Sequence, residues 1–163
     1  HMANKLNGTQ HGVFNITGHG AEHCMLDKWT LEACGSGNSK YYLRGIHGRY
    51  LTAMFDGSVM MEDTKDEWQE WTIVVTPLNQ VLLRSNLGLY LHRCLNGTIS
   101  LSQSKNASES WTIKKYHSQD NYFPKHCTME NLAISICSNE IEDKLNLQSL
   151  GNGLVWIAKA ENC

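Results

Sequence analysis

The amino-acid sequence predicts an all-β chain built from a repeated unit, and two observations carry this prediction. Residues 41–75 align with residues 81–115 without a gap, and ten of the aligned positions are identical. Runs rich in Tyr, Leu, Val, Ile, Thr and Trp alternate with Gly-containing turns, and these runs are too short for helices. With 163 residues, the chain has the length of one ordinary domain.

The identical positions include two turn glycines and a Trp-Thr-Ile segment in each copy. The pairs are Leu43 and Leu83, Arg44 and Arg84, Gly48 and Gly88, Tyr50 and Tyr90, Leu51 and Leu91, Gly57 and Gly97, Lys65 and Lys105, Trp71 and Trp111, Thr72 and Thr112, and Ile73 and Ile113.

Each unit divides into four short strands, which in the first copy read "KYYLRG", "RYLTAM", "SVMME" and "EWTIVV". Gly48 and Gly88 mark the first bend of the two copies. The pairs Asp56-Gly57 and Asn96-Gly97 mark the second bend, because such pairs accept the positive φ angles of tight hairpin turns. The predicted unit is therefore strand, turn, strand, turn, strand, strand.

A third, less regular copy is predicted in the C-terminal part. "ENLAISIC" at 130–137 resembles an apolar strand pair, and the segment 144–160 brings Trp156 near the repeated Trp position. One unit cannot bury its apolar face alone, whereas three units closed around a pseudo-threefold axis can. We therefore predict a β-trefoil of three four-stranded repeats over residues 39–163. Residues 1–38 are either an N-terminal extension or a shortened first repeat whose missing strands the C-terminal segment supplies.

The repeat resembles that of fascin-type trefoils, through "VLLRSNLGLYL" at 81–91, "GRYLTAMFDGSV" at 48–59 and "KWTLEA" at 28–33. More loosely, "NYFPKH" at 121–126 and "NGLVWIAKA" at 152–160 are similar to segments of fibroblast growth factors. "QEW" at 69–71 resembles the Gln-x-Trp of ricin-type lectins. We therefore predict a binding module that, like fascin, binds actin filaments. The alternatives are a secreted receptor ligand, which the growth-factor resemblance implies, and a carbohydrate-binding lectin.

Composition argues against several other classes of function. A net charge of −2 gives no basic field for nucleic acid, and no apolar run is long enough for membrane insertion.

The segment "HGAEH" at 19–23 matches a metalloprotease pattern, but its glycines disfavour the helix that such a metal site needs. His117 and His126 are interpreted as surface residues. We expect no metal, no cofactor and no catalysis.

The expected compartment is the cytoplasm, at the cytoskeleton, and secretion is the alternative that the cysteines and glycosylation sequons leave open. The six cysteines contain no Cys-x-x-Cys spacing, so they are either extracellular disulfides or buried thiols. Four Asn-x-Ser/Thr sequons are compatible with a secreted protein.

Charge is divided unevenly between the repeats. Residues 41–80 carry three basic and six acidic residues, whereas residues 81–125 carry six basic and two acidic ones. The second copy is therefore expected to present a basic sector to an acidic partner. Candidate partners are a protein such as the actin filament, a cell-surface receptor or a glycan. The predicted partner-binding residues lie in turns or are basic, namely His47, Arg49, Phe55, His92, Arg93, Lys105, Lys114 and Lys115.

Overall fold

The computed structural model describes residues 5–9, 11–16, 28–34, 39–94, 97–106, 109–115, 145–150 and 153–159. These residues form one antiparallel sheet of twelve strands. The strands are β1 (Lys5–Gly8), β2 (Val13–Ile16), β3 (Lys28–Ala33), β4 (Lys40–Gly45), β5 (Tyr50–Ala53), β6 (Val59–Glu62), β7 (Trp71–Val75), β8 (Val81–Ser85), β9 (Tyr90–Arg93), β10 (Ile99–Ser102), β11 (Trp111–Lys115) and β12 (Leu154–Lys159). A 3-10 turn (Glu67–Gln69) precedes β7, and a one-turn helix α1 (Leu147–Leu150) precedes β12.

Six of the described strands close into a barrel. Around it, β3 pairs with β4, β4 with β7, β7 with β8, β8 with β11, β11 with β12, and β12 with β3. Closure satisfies the strand edges that an isolated repeat would expose. The barrel confirms the prediction of an all-β fold and is compatible with the β-trefoil architecture.

Three hairpins accompany the barrel, formed by β1 and β2, β5 and β6, and β9 and β10. Backbone bonds join the hairpins in sequence. Met61 N donates to His11 O at 3.0 Å, and Leu101 N donates to Gly57 O at 2.9 Å. The turn of one hairpin is therefore fixed to the last strand of the next hairpin.

Three buried tryptophans occupy corresponding places in the fold. The indole N–H groups of Trp29, Trp71 and Trp111 donate to the carbonyls of Leu6, Leu51 and Leu91, at 3.0, 2.9 and 3.3 Å. All six side chains are completely buried. Such a bond satisfies the indole donor inside an apolar core.

The expectation that Trp156 takes the third of these tryptophan positions is wrong. Trp156 lies in β12, where it pairs with Lys114 of β11 and Lys28 of β3. Trp29 holds the third position instead. It pairs with Gly45, the last residue of β4, just as Trp71 pairs with Ser85, the last residue of β8.

The N-terminal residues contribute three strands to the sheet. β3 pairs with both β12 and β4, and β1 pairs with β12 through Lys5 and Ala158. That last pair corresponds to Arg44 with Tyr50 and to Arg84 with Tyr90. β12 therefore stands in the same relation to β1–β3 as β4 does to β5–β7. The first structural repeat consists of β12 and β1–β3, the second of β4–β7 and the third of β8–β11. The two copies aligned in the sequence are thus the second and third structural repeats.

Some sequence features lie outside the described residues. They include "HGAEH" at 19–23, the segment 116–144 with His117 and His126, and four of the cysteines. The two described cysteines, Cys34 and Cys94, carry free thiols. Among the described residues, no helix has the length and apolarity needed to cross a membrane.

Candidate functional site

An exposed aromatic pair stands out on the surface of the second repeat. The Phe55 side chain is 80% exposed, and its ring centre lies 4.5 Å from that of Trp68, with 62° between the ring planes. Trp68 is half-buried, and the exposed Phe55 ring packs against its indole. An exposed aromatic surface of this kind is a candidate recognition site.

The hairpin turn between β5 and β6 holds Phe55 in this position. Met54 N donates to Ser58 O, and Gly57 N donates back to Met54 O, which closes the turn. Gly57 has φ of 88°, which a residue with a side chain rarely adopts. Asp56 Oδ1 accepts from Ser58 N at 3.0 Å and from Ser58 Oγ at 2.6 Å.

The 3-10 turn holds Trp68. Asp66 begins this turn, accepting from Trp68 N at 3.1 Å, and Asp66 N donates to Gln69 Oε1 at 3.0 Å. Gln69 is almost fully buried and donates to Thr52 Oγ1 at 2.9 Å. This reciprocal capping fixes the turn against β5. Gln69, the first residue of "QEW", is therefore a buried structural contact and does not reach the surface.

The aromatic pair is bordered by negative charge. Hydrogen bonds from the Ser58 hydroxyl and amide hold the pKa of Asp56 below its ordinary value, so its carboxylate persists at lower pH. Both Ser58 bonds go to Oδ1, and no described residue bonds Oδ2. Asp66 and Glu67 are also exposed beside Trp68. The site thus combines an apolar surface with carboxylate acceptors.

Of the predicted partner-binding residues, His47 and Arg49 lie at the turn between β4 and β5. His47 is exposed. The Arg49 guanidinium lies 3.0 Å from Nδ1 of His11 and forms a 3.1 Å ion pair with Asp63. The charge of Arg49 is therefore already paired within the chain.

His92 and Arg93 lie in β9 and face the segment that precedes β11. His92 Nδ1 lies 2.5 Å from Oε2 of the buried Glu109. Arg93 donates to Ser110 O at 2.6 Å, and its guanidinium lies 5.0 Å from the ring centre of Trp111. Because Arg93 is only 9% exposed, it has little surface to offer a partner.

The three predicted lysines occupy the last part of the third repeat. Lys105 is exposed in the loop after β10, with Nζ 5.7 Å from the ring centre of Tyr90. Lys114 is half-buried and Lys115 is exposed, both at the end of β11. The eight predicted residues are thus spread over two turns, one loop and two strands.

Sequence reasoning missed Trp68. The alignment of the two copies contained the signal, because Trp71 aligns with Trp111 while Trp68 aligns with Ser108. A tryptophan outside the repeat pattern has no repeated packing role. Such a residue is a better candidate for a surface site than a repeated one.

Comparison with known proteins identifies similar folds. No family model matches the chain, and no curated protein matches its sequence. The structure of the Haemophilus ducreyi cytolethal distending toxin aligns with a TM-score of 0.54 and 13% identity, over 65% of this chain and 74% of that chain. SeviL bound to asialo-GM1 saccharide aligns with a TM-score of 0.56 and 14% identity, over 72% of this chain and 100% of that chain. At these identities the likeness concerns the trefoil-like fold alone.

Proposed function

We propose that this chain is a non-catalytic carbohydrate-binding module whose site is formed by Phe55, Trp68 and Asp56. The observation that carries the proposal is the exposed Phe55 ring held against Trp68 at 4.5 Å. Fold similarity to a lectin with a bound saccharide supports it.

The chemistry of the site suits a sugar. An aromatic surface packs against the C–H groups of a pyranose ring, and carboxylate oxygens accept hydrogen bonds from its hydroxyls. Asp56 follows Phe55 directly in the sequence. Its Oδ2 accepts no hydrogen bond from the described residues and is therefore available to a sugar hydroxyl. The turn and the capped 3-10 segment order the backbone that carries both rings before binding, which limits the conformational entropy lost with the ligand.

Actin-filament binding and receptor binding stay predictions from the sequence. The actin hypothesis depends on a basic surface that includes Arg93, Lys114 and Lys115, and the Arg93 guanidinium is stacked on Trp111. The two similar structures named above are a toxin and a lectin. We therefore favour the saccharide over the filament.

Binding to immobilised asialo-GM1 saccharide, together with a panel of neutral and acidic oligosaccharides, tests the proposal. Phe55→Ala and Trp68→Ala should each weaken binding at least about tenfold, which corresponds to about 1.4 kcal/mol. Leu78→Ala is the matched control, since Leu78 is 77% exposed in the turn between β7 and β8. A panel without any bound saccharide, or equal losses for the Phe55 and Leu78 variants, would refute the proposal.

A further inference from the structure

One carboxylate between the first and second repeats is surrounded by donors. Glu32 in β3 accepts from Arg44 Nε at 2.7 Å, from Tyr50 OH at 3.2 Å and from Lys65 Nζ at 3.3 Å. Lys65 Nζ also lies 5.6 Å from the ring centre of Tyr50. Arg, Tyr and Lys together thus form a set of donors for one anionic group, and the Glu32 carboxylate of the chain itself takes that place.

The same three donor types recur between the second and third repeats. Arg84 pairs with Tyr90 across β8 and β9, in the register that Arg44 and Tyr50 have across β4 and β5. Lys105 Nζ lies 5.7 Å from the ring centre of Tyr90, as Lys65 Nζ does from Tyr50.

The carboxylate does not recur. In β3, Thr30 pairs with Arg44 and Glu32 lies two residues further along, on the same face of the strand. In β7, Thr72 pairs with Arg84, and the residue two positions further is Val74. Val74 therefore occupies the Glu32 position.

The two cations of the second set lie at the surface beside the buried Tyr90, and they lack a counter-ion among the described residues. Arg84 and Lys105 are exposed, and no carboxylate of the described residues forms an ion pair with either. Val74 is 39% exposed. The Arg84 guanidinium lies beside the turn at Gly88, whereas the guanidinium of Arg44 contacts Glu32.

We propose that Arg84, Tyr90 and Lys105 bind the acidic group of a saccharide, a carboxylate or a sulfate, at the place that Glu32 fills in the preceding repeat. This inference rests on the proposed carbohydrate function and adds acidic glycans as the ligand class. Arg binds planar oxyanions through paired N–H donors, and Lys adds a second positive charge.

The remaining corresponding position lacks the donor set. There Ala158 stands in place of the arginine and Lys5 in place of the tyrosine, while Lys114 takes the Glu32 position. Among the described residues, the Arg, Tyr and Lys donors therefore occur together without a carboxylate at the Glu32 position beside β7, β8 and β9.

Two substitutions of the same type test the inference. Val74→Glu supplies the missing carboxylate and should occupy the donors internally. Val75→Glu is the matched control, because Val75 is comparably exposed but points to the other face of β7. The probes are lactose, sialyllactose and sulfated lactose, with binding followed by calorimetry and by NMR at two salt concentrations.

We expect the wild-type chain to bind at least one acidic probe about tenfold more tightly than lactose, with the difference reduced by salt. Val74→Glu should abolish this difference, whereas Val75→Glu should preserve it. Glu32→Val should create a second anion site and raise the binding stoichiometry for inorganic sulfate.

The other outcomes distinguish a failure of the anion site from a failure of the carbohydrate function. Equal affinity for lactose and both acidic probes, or equal effects of the two Val variants, overturns the anion site but leaves the carbohydrate function intact. Sulfate binding that Val74→Glu abolishes, without binding of any saccharide, overturns the carbohydrate function and the acidic-glycan assignment together. In that case the donor set is a site for a small inorganic anion.

Discussion

His92 Nδ1 lies 2.5 Å from Oε2 of Glu109, at the place where Thr52 contacts Gln69 in the preceding repeat. Glu109 is fully buried, and its Oε1 accepts from Asn106 N at 3.0 Å, as Gln69 Oε1 accepts from Asp66 N. One repeat thus uses an amide and a hydroxyl where the next uses a carboxylate and an imidazole. The contact supports the segment before β7 in one repeat and the segment before β11 in the next.

Removing the imidazole should therefore leave Oε2 of the buried Glu109 without its donor. His92→Thr is expected to lower the free energy of unfolding by about 1–3 kcal/mol. Adding Glu109→Gln should restore most of the loss, because the double variant reproduces the Thr52 and Gln69 pair. Urea unfolding measures both changes, and a double variant no more stable than His92→Thr would contradict this equivalence.

Acidification should remove a stabilising contribution of Glu32. Burial alone would raise the pKa of Glu32, but the hydrogen bonds and charges of Arg44 and Lys65 outweigh burial and lower it. A carboxylate whose pKa is lowered in the folded state stabilises the fold above its unfolded-state pKa, and this contribution is lost as the pH falls through the folded value. Between about pH 6 and about pH 3, the urea midpoint should fall more steeply for wild type than for Glu32→Gln. Parallel curves would refute this role.

The two described thiols should differ in reactivity. Burial, followed by the charge of Glu70, raises the pKa of Cys34 to about 11. Since the thiolate is the reactive form, about one Cys34 side chain in ten thousand carries it at neutral pH. Iodoacetamide should label the half-buried Cys94 first, and the Cys34 rate should rise about tenfold per pH unit up to about pH 9. Peptide mass spectrometry measures both rates, and faster labelling of Cys34 would contradict the assignment.

The turn that carries Phe55 offers a test of preorganisation. Gly57 and Gly97 have φ angles of 88° and 89° at corresponding turns. Substituting Ala at either position should lower the free energy of unfolding by about 1 kcal/mol, because a side chain disfavours positive φ. Only Gly57→Ala should also weaken saccharide binding. Equal effects of both variants on binding would indicate that the turn position does not matter to the site.

Much of the fold could be predicted from the repeat. The alignment of Trp71 with Trp111 located two barrel strands, because each indole must be buried and bonded to a carbonyl. The alignment of Gly57 with Gly97 located two hairpin turns, because both positions have a positive φ angle. The first repeat was harder to predict. Its strands are split between the two ends of the chain, so β12 and β1 never follow each other in sequence.

The candidate site was predictable only in part. Phe55 could be placed at an exposed turn, but its contact with Trp68 depends on how the 3-10 segment folds back onto β5. The burial of Arg93 depends on the Trp111 ring from another strand. Similarly, Glu32 and Val74 correspond only through strand register, which sequence alignment of residues 41–115 does not include.

NMR of the five tryptophan indoles can show whether Phe55 and Trp68 contact a saccharide. Titration with asialo-GM1 saccharide should shift the Trp68 indole signal strongly. The indoles of Trp29, Trp71 and Trp111 serve as internal controls because they are fully buried, and their signals should move little. Saccharide binding that leaves the Trp68 signal unchanged would show that the sugar binds elsewhere on the chain.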